Sequence, residues 1–153
     1  MSYKVPFFAV QSALYSALSG SDIGINWFDA GVSTEEIADF YKDQGEYAYG
    51  IIGASDADAN ANKDAVVWTM NLDLEVYSNY KGRKAVTNTL ESLLNFFADS
   101  GTWDEMNTNL EPDGFMLVSV TVSRLRVNLP VYGDTGVWQS GATTVRLLVS
   151  QKE

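Results

Sequence analysis

The clearest pattern in the chain is a strict alternation of apolar and polar residues between positions 66 and 77. The apolar members are Val66, Trp68, Met70, Leu72, Leu74 and Val76, and the residues between them are mostly polar. A period of two with one apolar face is typical of an antiparallel strand that is buried on one side only. The pattern therefore predicts a long strand here.

Three segments show a helical period instead. A first helix is predicted by the apolar positions Phe7, Val10, Leu14, Ala17 and Leu18, with Gly20 after them, and another by Val86, Leu90, Leu93, Leu94 and Phe97. Both sets follow the i, i+3, i+4, i+7 spacing of an amphipathic helix. A shorter helix is predicted in STEEIADFYKDQG, because Ser33 and Glu36 have the spacing of a capping box.

Further strands are predicted in IGINWFDAG, EYAYGIIGA, FMLVSVTVSRLRVNL and TTVRLLVSQ. In the third of these, one face carries Met116, Val118, Val120 and Val122, but Leu125, Val127 and Leu129 have the opposite parity. Such a change of phase predicts a β-bulge, or a strand that leaves the sheet. The polar segment SGTWDEMNTNLEPDG and the Gly-rich segment PVYGDTGVWQSGA are predicted to be connections.

Together these elements predict one α+β domain over residues 1–153, a mostly antiparallel β-sheet with two long amphipathic helices packed on one face. No apolar run approaches the roughly 18 residues of a membrane span, so no membrane partner is expected. The apolar N-terminal segment has only Lys4 as a basic lead and polar residues within it, so we interpret it as a helix and not as a secretion signal.

The chain has no cysteine and no histidine, which excludes thiol nucleophiles, histidine bases and thiolate metal sites. Its net charge is −10, so it is poorly suited to binding nucleic acid phosphates. The charge is explained either by solubility or by a surface that must not bind DNA. No phosphate loop or nucleophile motif is present, and no catalytic, cofactor-binding or metal site and no cofactor are predicted.

One stretch, SDADANANKDAVVW, resembles a calcium loop, because Asp56, Asp58, Asn60 and Asp64 have suitable spacing. However, Ala61 stands where the loop needs Gly, and Val67 stands where a bidentate carboxylate is required. We therefore interpret the stretch as a solvated hairpin loop between two strands. A carboxylate-dependent enzyme or a calcium-binding module is kept only as a minor alternative.

Six residues are candidates for an interface: Trp103, Met106, Tyr132, Trp138, Arg124 and Arg126. The tryptophans stand in polar, Gly-flanked segments, and tryptophan is enriched at the centres of interfaces. The alternative is that each loop folds back and fills the core with its tryptophan. The two arginines alternate along a strand and either face an acidic partner or balance charge. On the first interpretation, Trp103→Ala or Trp138→Ala should weaken assembly more than folding.

Three stretches carry a resemblance to a known family: VQSALYSALSGS, MNLDLEVYSNYKGRKAVTNTLESLLN, and the segment from GFMLVSVTVSRLRVNL through TTVRLLV. They are similar to the opening helix, the central strand–turn–helix unit and the closing hairpin of the tail-completion and tail-terminator proteins of long-tailed bacteriophages, the minor tail protein U-like family. The chain departs from the family at STEEIADFYKDQGEYAYG, which has no proline where family members have a Pro-rich extended segment.

The resemblance implies a non-enzymatic virion protein, assembled in the host cytoplasm, that forms a homo-oligomeric ring, typically of six subunits, at the head-proximal end of the tail tube. Its partners would be the tail tube protein and the head–tail connector protein, and DNA would pass through the ring without specific binding. The alternative within the same class is a head-completion or neck protein on the capsid side.

Overall fold

The computed structural model describes residues 2–62, 65–133 and 136–152, which form four α-helices and six β-strands. The helices are α1 (Phe7–Ser19), α2 (Thr34–Phe40), α3 (Lys84–Ala98) and α4 (Ser100–Leu110), followed by a 3-10 turn at Glu111–Asp113. The strands are β1 (Asn26–Asp29), β2 (Ala48–Ala61), β3 (Val66–Ser78), β4 (Phe115–Val127), β5 (Val131–Gly133) and β6 (Gly136–Gln151).

The main sheet has the strand order β1-β2-β3-β6-β4, with β5 pairing only with the start of β6. Strand β1 runs parallel to β2, and every other pairing is antiparallel. The predicted α+β class with a mostly antiparallel sheet is confirmed. Among the described strands, this order leaves β1 and β4 as the two edges, each paired on one side only.

The main core lies between one face of the sheet and helices α1, α3 and α4. The alternating apolar residues of β3 all point into it, and Met70, Leu74 and Val76 have no exposed surface. Burial of this kind stabilises a fold by roughly 25 cal/mol for each Å² of apolar surface removed from water. Helices α1 and α3 lie where the sequence predicted them.

The prediction of a polar connection over residues 100–114 is wrong, because most of this segment is helix α4. Its N-terminus is capped by Asp99, whose Oδ1 accepts a hydrogen bond from the Gly101 N–H at 2.8 Å. Thr102, Met106 and Leu110 follow at intervals of four residues and are buried against the core. These three buried residues form a narrow stripe along α4, and their packing holds the helix on the core although the rest of it is mostly polar.

Helix α2 packs on the opposite face of the sheet, over β1 and β2, where Ile37, Tyr41 and Tyr49 form a smaller core. The predicted cap is confirmed, since Ser33 Oγ accepts a hydrogen bond from the Glu36 N–H at 3.2 Å. We call this side of the sheet the second face.

Strand β4 contains the predicted change of phase, at a register shift between Val122 and Arg124. A second shift, which was not predicted, lies between Leu117 and Ser119. Because of it, Leu117 is buried whereas Met116 and Val118 are exposed, so grouping these two with Val120 and Val122 was wrong. One-residue bulges exchange the two faces of a strand, which explains both changes.

The predicted hairpin between β2 and β3 is present, but the prediction that residues 55–65 form its loop is wrong. Strand β2 continues to Ala61 and pairs with the start of β3, from Ser55 opposite Leu72 to Ala61 opposite Val66. Ala, Asp and Asn have low strand propensity, but pairing with an already buried strand outweighs that preference.

Candidate assembly surfaces

The most exposed apolar residues of the sheet lie on a projection that we call the arm, residues 125–138, of which 134 and 135 lie outside the described residues. It leads from the end of β4 through β5 to the start of β6. Exposed fractions reach 78% at Leu129, 62% at Val131 and 79% at Tyr132. Asn128 fixes the base of the arm, with its N–H donating to Ser140 O at 2.9 Å and its Nδ2 donating to Ser140 Oγ at 3.0 Å.

Arg124 and Arg126 lie at the base of the arm on the second face, and both are exposed. With Asp73 and Glu75 of β3 they line a cleft of about 130 Å³. Asp73 Oδ1 also accepts a hydrogen bond from Thr144 Oγ1 at 2.7 Å. The arginines therefore stand beside carboxylates of their own chain, which supports charge balance as one of their roles. The role predicted for them in an interface stays a prediction.

Next to this cleft the second face carries a layer of aromatic rings from α2, β2, β3 and β6. Tyr49 stacks on Tyr77 with ring centroids 5.2 Å apart, and Tyr41 stacks on Tyr47 at 4.4 Å. Burial, and after it the neighbouring Tyr77, Tyr47, Glu75 and Tyr41, together raise the pKa of Tyr49 to about 12. The phenols are thus held in their neutral form in a packed layer.

The pKa of Tyr77 is raised chiefly by burial, and next by the charge of Glu75 and by the hydrogen bond that its hydroxyl donates to Glu75 Oε2 at 3.2 Å. The charge of Arg126 acts in the opposite direction. The pKa of Tyr41 is also raised by burial, which outweighs its hydrogen bond from Asn26 Nδ2 at 3.0 Å. The charged cleft and the aromatic layer are therefore electrostatically coupled.

Trp138 was predicted to stand in a Gly-rich loop, but it lies in strand β6 and belongs to this layer. Its ring is half-buried, with centroids 5.3 Å from Tyr47 and 5.9 Å from Tyr49. Its backbone pairs with Val131 of β5, so Trp138 connects the arm to the second face. Tyr132, which lies next along β5, is exposed instead.

Trp103 and Met106 lie on helix α4 and not in a loop. Trp103 is partly buried against the main core, and its Nε1 donates to Phe97 O at 2.7 Å. Met106 is fully buried, so it offers no surface to a neighbouring molecule in this fold. Their placement matches the interpretation in which this segment fills the core. An interface role for Trp103 stays a prediction.

A surface that the sequence analysis did not single out lies at the opposite edge of the sheet, around β1 and α2. We call it the acidic edge: it exposes the carboxylates Asp29, Glu35, Glu36, Asp39 and Asp43 together with Phe40, which is 61% exposed. A pocket of about 150 Å³ opens beside Phe40 and is lined by Tyr15, Trp27 and Phe28 among others. The signal in the sequence was the absence of Lys and Arg between Val5 and Tyr41.

The calcium hypothesis gains no geometric support from the described residues. Asp56 and Asp58 lie on β2, and Asp56 Oδ1 accepts a hydrogen bond from Asn71 Nδ2 at 2.9 Å. Asp64 lies outside the described residues. Within residues 2–62, 65–133 and 136–152, no three acidic side chains are grouped so that they could hold a metal ion. None of the helices in those ranges is long and apolar enough to cross a membrane.

No protein-family model matches the chain, and no curated protein matches it. Among solved structures it is similar to a chain of the virion of a native gene transfer agent particle, with a TM-score of 0.63 and 15% sequence identity. The similarity covers 97% of this chain and 99% of that chain. The two chains therefore share a fold from end to end.

Proposed function

We propose that the protein is a structural component of a phage-like virion, which forms a homo-oligomeric ring at the head-proximal end of a tail tube. The ring would stop growth of the tube and join the tail to the head connector. The observation that carries this proposal is the full-length likeness of fold to a chain of a gene transfer agent virion.

Two features of the surface support the proposal. The arm exposes several large apolar side chains, and exposed apolar residues that cluster on one segment are typical of interaction sites. The net charge of −10 suits a subunit through whose ring DNA passes without being held, because acidic surfaces repel phosphates. The resemblance of the three sequence stretches to tail-terminator proteins points to the same role.

The proposal is tested by deleting the gene from a virus or particle-producing strain and imaging the products by negative-stain electron microscopy. We expect tail tubes without a defined upper length limit, and filled heads without tails. Complementation with the wild-type gene should restore tails of normal length. Normal tails that remain joined to heads in the deletion strain would refute the role.

The same images separate the alternative role in the neck. Tails of normal length that fail to join, together with heads that lose their DNA, would indicate a head-completion protein on the capsid side. Particle mass measured before and after mixing the purified protein with isolated tail tubes gives an independent check, since a terminator should bind the tubes.

A further inference from the structure

We propose that the outer edge of strand β1 is a docking groove for an extended, basic peptide segment of a different protein. The segment pairs with β1 as an added strand. It places one large apolar side chain between α1 and α2, with Lys or Arg residues on either side of that side chain. This inference does not depend on the ring proposed above, since the partner is another chain.

The groove, which we call the edge groove, is the pocket of about 150 Å³ lined by residues 25–28, Tyr15, Ser19 and Phe40. Successive side chains of a strand point to opposite faces of a sheet. Here Trp27 belongs to the main core, whereas Phe28 packs with the smaller core on the second face. A pocket that both residues line must therefore run along the edge of β1 and not over one face of the sheet.

The floor of the edge groove is a strand that is paired on one side only. Strand β1 pairs with β2, and no other described strand lies beyond it. An edge strand directs the N–H and C=O groups of alternate residues away from the sheet, where they can pair with another extended chain. Addition of a strand to such an edge is a recurrent mode of peptide recognition. The floor therefore favours an extended backbone as the occupant.

The walls of the edge groove are apolar and come from both faces of the sheet. Tyr15 lies on α1, which packs on the main core, and is 49% exposed, whereas Phe40 ends α2 and contacts Phe28 edge to face with centroids 5.6 Å apart. Pockets for small-molecule ligands usually measure about 300–1,000 Å³. At about 150 Å³ the edge groove is smaller than that, so it suits one large side chain of a bound strand.

The charge around the edge groove indicates a basic occupant. Asp22 precedes β1, Asp29 ends it and Asp39 is next to Phe40 in α2, and all three carboxylates are exposed. No Lys or Arg occurs between Val5 and Tyr41, so α1, β1 and α2 carry carboxylates without a cation. Complementary potentials speed association and disfavour partners of the wrong charge. A segment with Lys or Arg beside its apolar residue is therefore preferred over an acidic one.

The strands of a second copy do not meet this requirement. Within the described strands the basic residues are Arg124, Arg126 and Arg146. Arg124 and Arg126 line the cleft with Asp73 and Glu75 of their own chain, and Arg146 lies on the interior strand β6. No described strand therefore offers free basic residues at an edge, and we assign the groove to a different protein.

The first test uses short synthetic peptides in which lysine alternates with valine around a central leucine or phenylalanine. Each is titrated into the isotope-labelled full chain and followed by two-dimensional amide NMR. We expect the largest shift changes at the backbone amides of residues 25–29, with further changes at Tyr15 and Phe40. No binding of either peptide at millimolar concentration, or changes centred on another part of the chain, would overturn the inference.

Modified peptides separate strand pairing from attraction by charge. Replacing every lysine with glutamate should abolish binding, because the groove is acidic. Methylating every second amide nitrogen removes the donors along one edge of the peptide. One of the two possible methylated sets should lose binding and the other should keep it, since only one edge of the peptide faces β1. Equal binding, or equal loss, with the two sets would show that the peptide does not add as a strand.

Variants of the chain test the walls. Phe40→Ser and Tyr15→Ser should each weaken peptide binding roughly tenfold, as expected for residues at the centre of an interface. The matched control is Phe8→Ser, because Phe8 is 84% exposed but lies at the start of α1 and does not line the groove. Urea denaturation of each variant should show that the fold is retained. An equal loss of affinity in Phe8→Ser would contradict the placement of the site.

A pair of charge variants tests the choice of a basic partner. Asp29→Asn/Asp39→Asn should weaken binding roughly threefold to tenfold, and more at low salt than at high salt. The control Asp56→Asn/Asp58→Asn makes the same change of charge on β2 and should leave the affinity unchanged. Equal losses in the two variants would overturn the charge argument. Shift changes at residues 25–29 that appear when the protein alone is concentrated would identify a second copy as the occupant and overturn the assignment to a different protein.

Discussion

Replacing Gly50 with alanine tests how β1, and with it the acidic edge, is held on the sheet. Gly50 lies on β2 opposite Trp27 of β1, and the Trp27 indole, which is only 3% exposed, lies directly over it. A Cβ built at Gly50 would lie 2.6 Å from Trp27 Cδ2 and closer still to Cε3 and Cζ3. Carbon atoms normally pack at about 3.5–4.0 Å, so the ring must move by roughly 1 Å or more.

The expected cost follows from two opposing effects. The backbone at Gly50 has no positive φ, so alanine alone would stabilise the fold by about 0.4–1 kcal/mol through the unfolded state. Overpacking of a buried site costs about 1–3 kcal/mol, and this term wins because Trp27 is enclosed in the main core. We therefore expect Gly50→Ala to lower the unfolding free energy by about 1–2 kcal/mol, measured by urea denaturation.

The control for this prediction is Gly45→Ala, where a Cβ would meet nothing within 4 Å and φ is not positive, so stability should change by less than about 0.5 kcal/mol. In a Trp27→Leu background the penalty of Gly50→Ala should largely disappear, because the clashing ring is gone. The reasoning is refuted if Gly50→Ala is neutral, or if it costs as much beside Leu as beside Trp.

Three further outcomes are expected. Met106→Ala should lower the free energy of unfolding, measured by urea denaturation, by about 2–5 kcal/mol because it leaves a cavity at a fully buried site. A loss below about 0.5 kcal/mol, as at an exposed position, would contradict the core placement of Met106. The pKa of Tyr49 is about 12 in the folded protein and about 10 in the unfolded chain. The stability that the neutral phenol contributes is therefore fully present below pH 10 and is lost as the pH rises towards 12, by at most about 3 kcal/mol. Tyr49→Phe should make this loss of stability with pH shallower, and an unchanged slope would contradict the burial argument. Adding calcium should leave the melting temperature unchanged, whereas a rise of many degrees that Asp56→Asn/Asp58→Asn abolishes would revive the calcium hypothesis.

The sequence determined the elements whose local pattern agrees with their tertiary setting. Strand β3 and helices α1 and α3 each carry a long apolar stripe at the correct period, and each is buried along that stripe. The bulge after Val122 could also be predicted from the sequence, because the apolar residues change from one face of the strand to the other there, and such a change requires a shift of register. The α+β class follows from these elements alone.

Tertiary structure decided the elements in which local preference is weak. Helix α4 has only three buried positions in a polar segment, and the second half of β2 is built from Ala, Asp and Asn, so in both cases a packed neighbour supplies the stability that propensity does not. The order of the strands in the sheet was also decided by the tertiary structure. The position of each strand depends on long-range pairing, which no local pattern of residues encodes. Strands β1 and β4 became the two edges of the main sheet only when that pairing placed them at its ends.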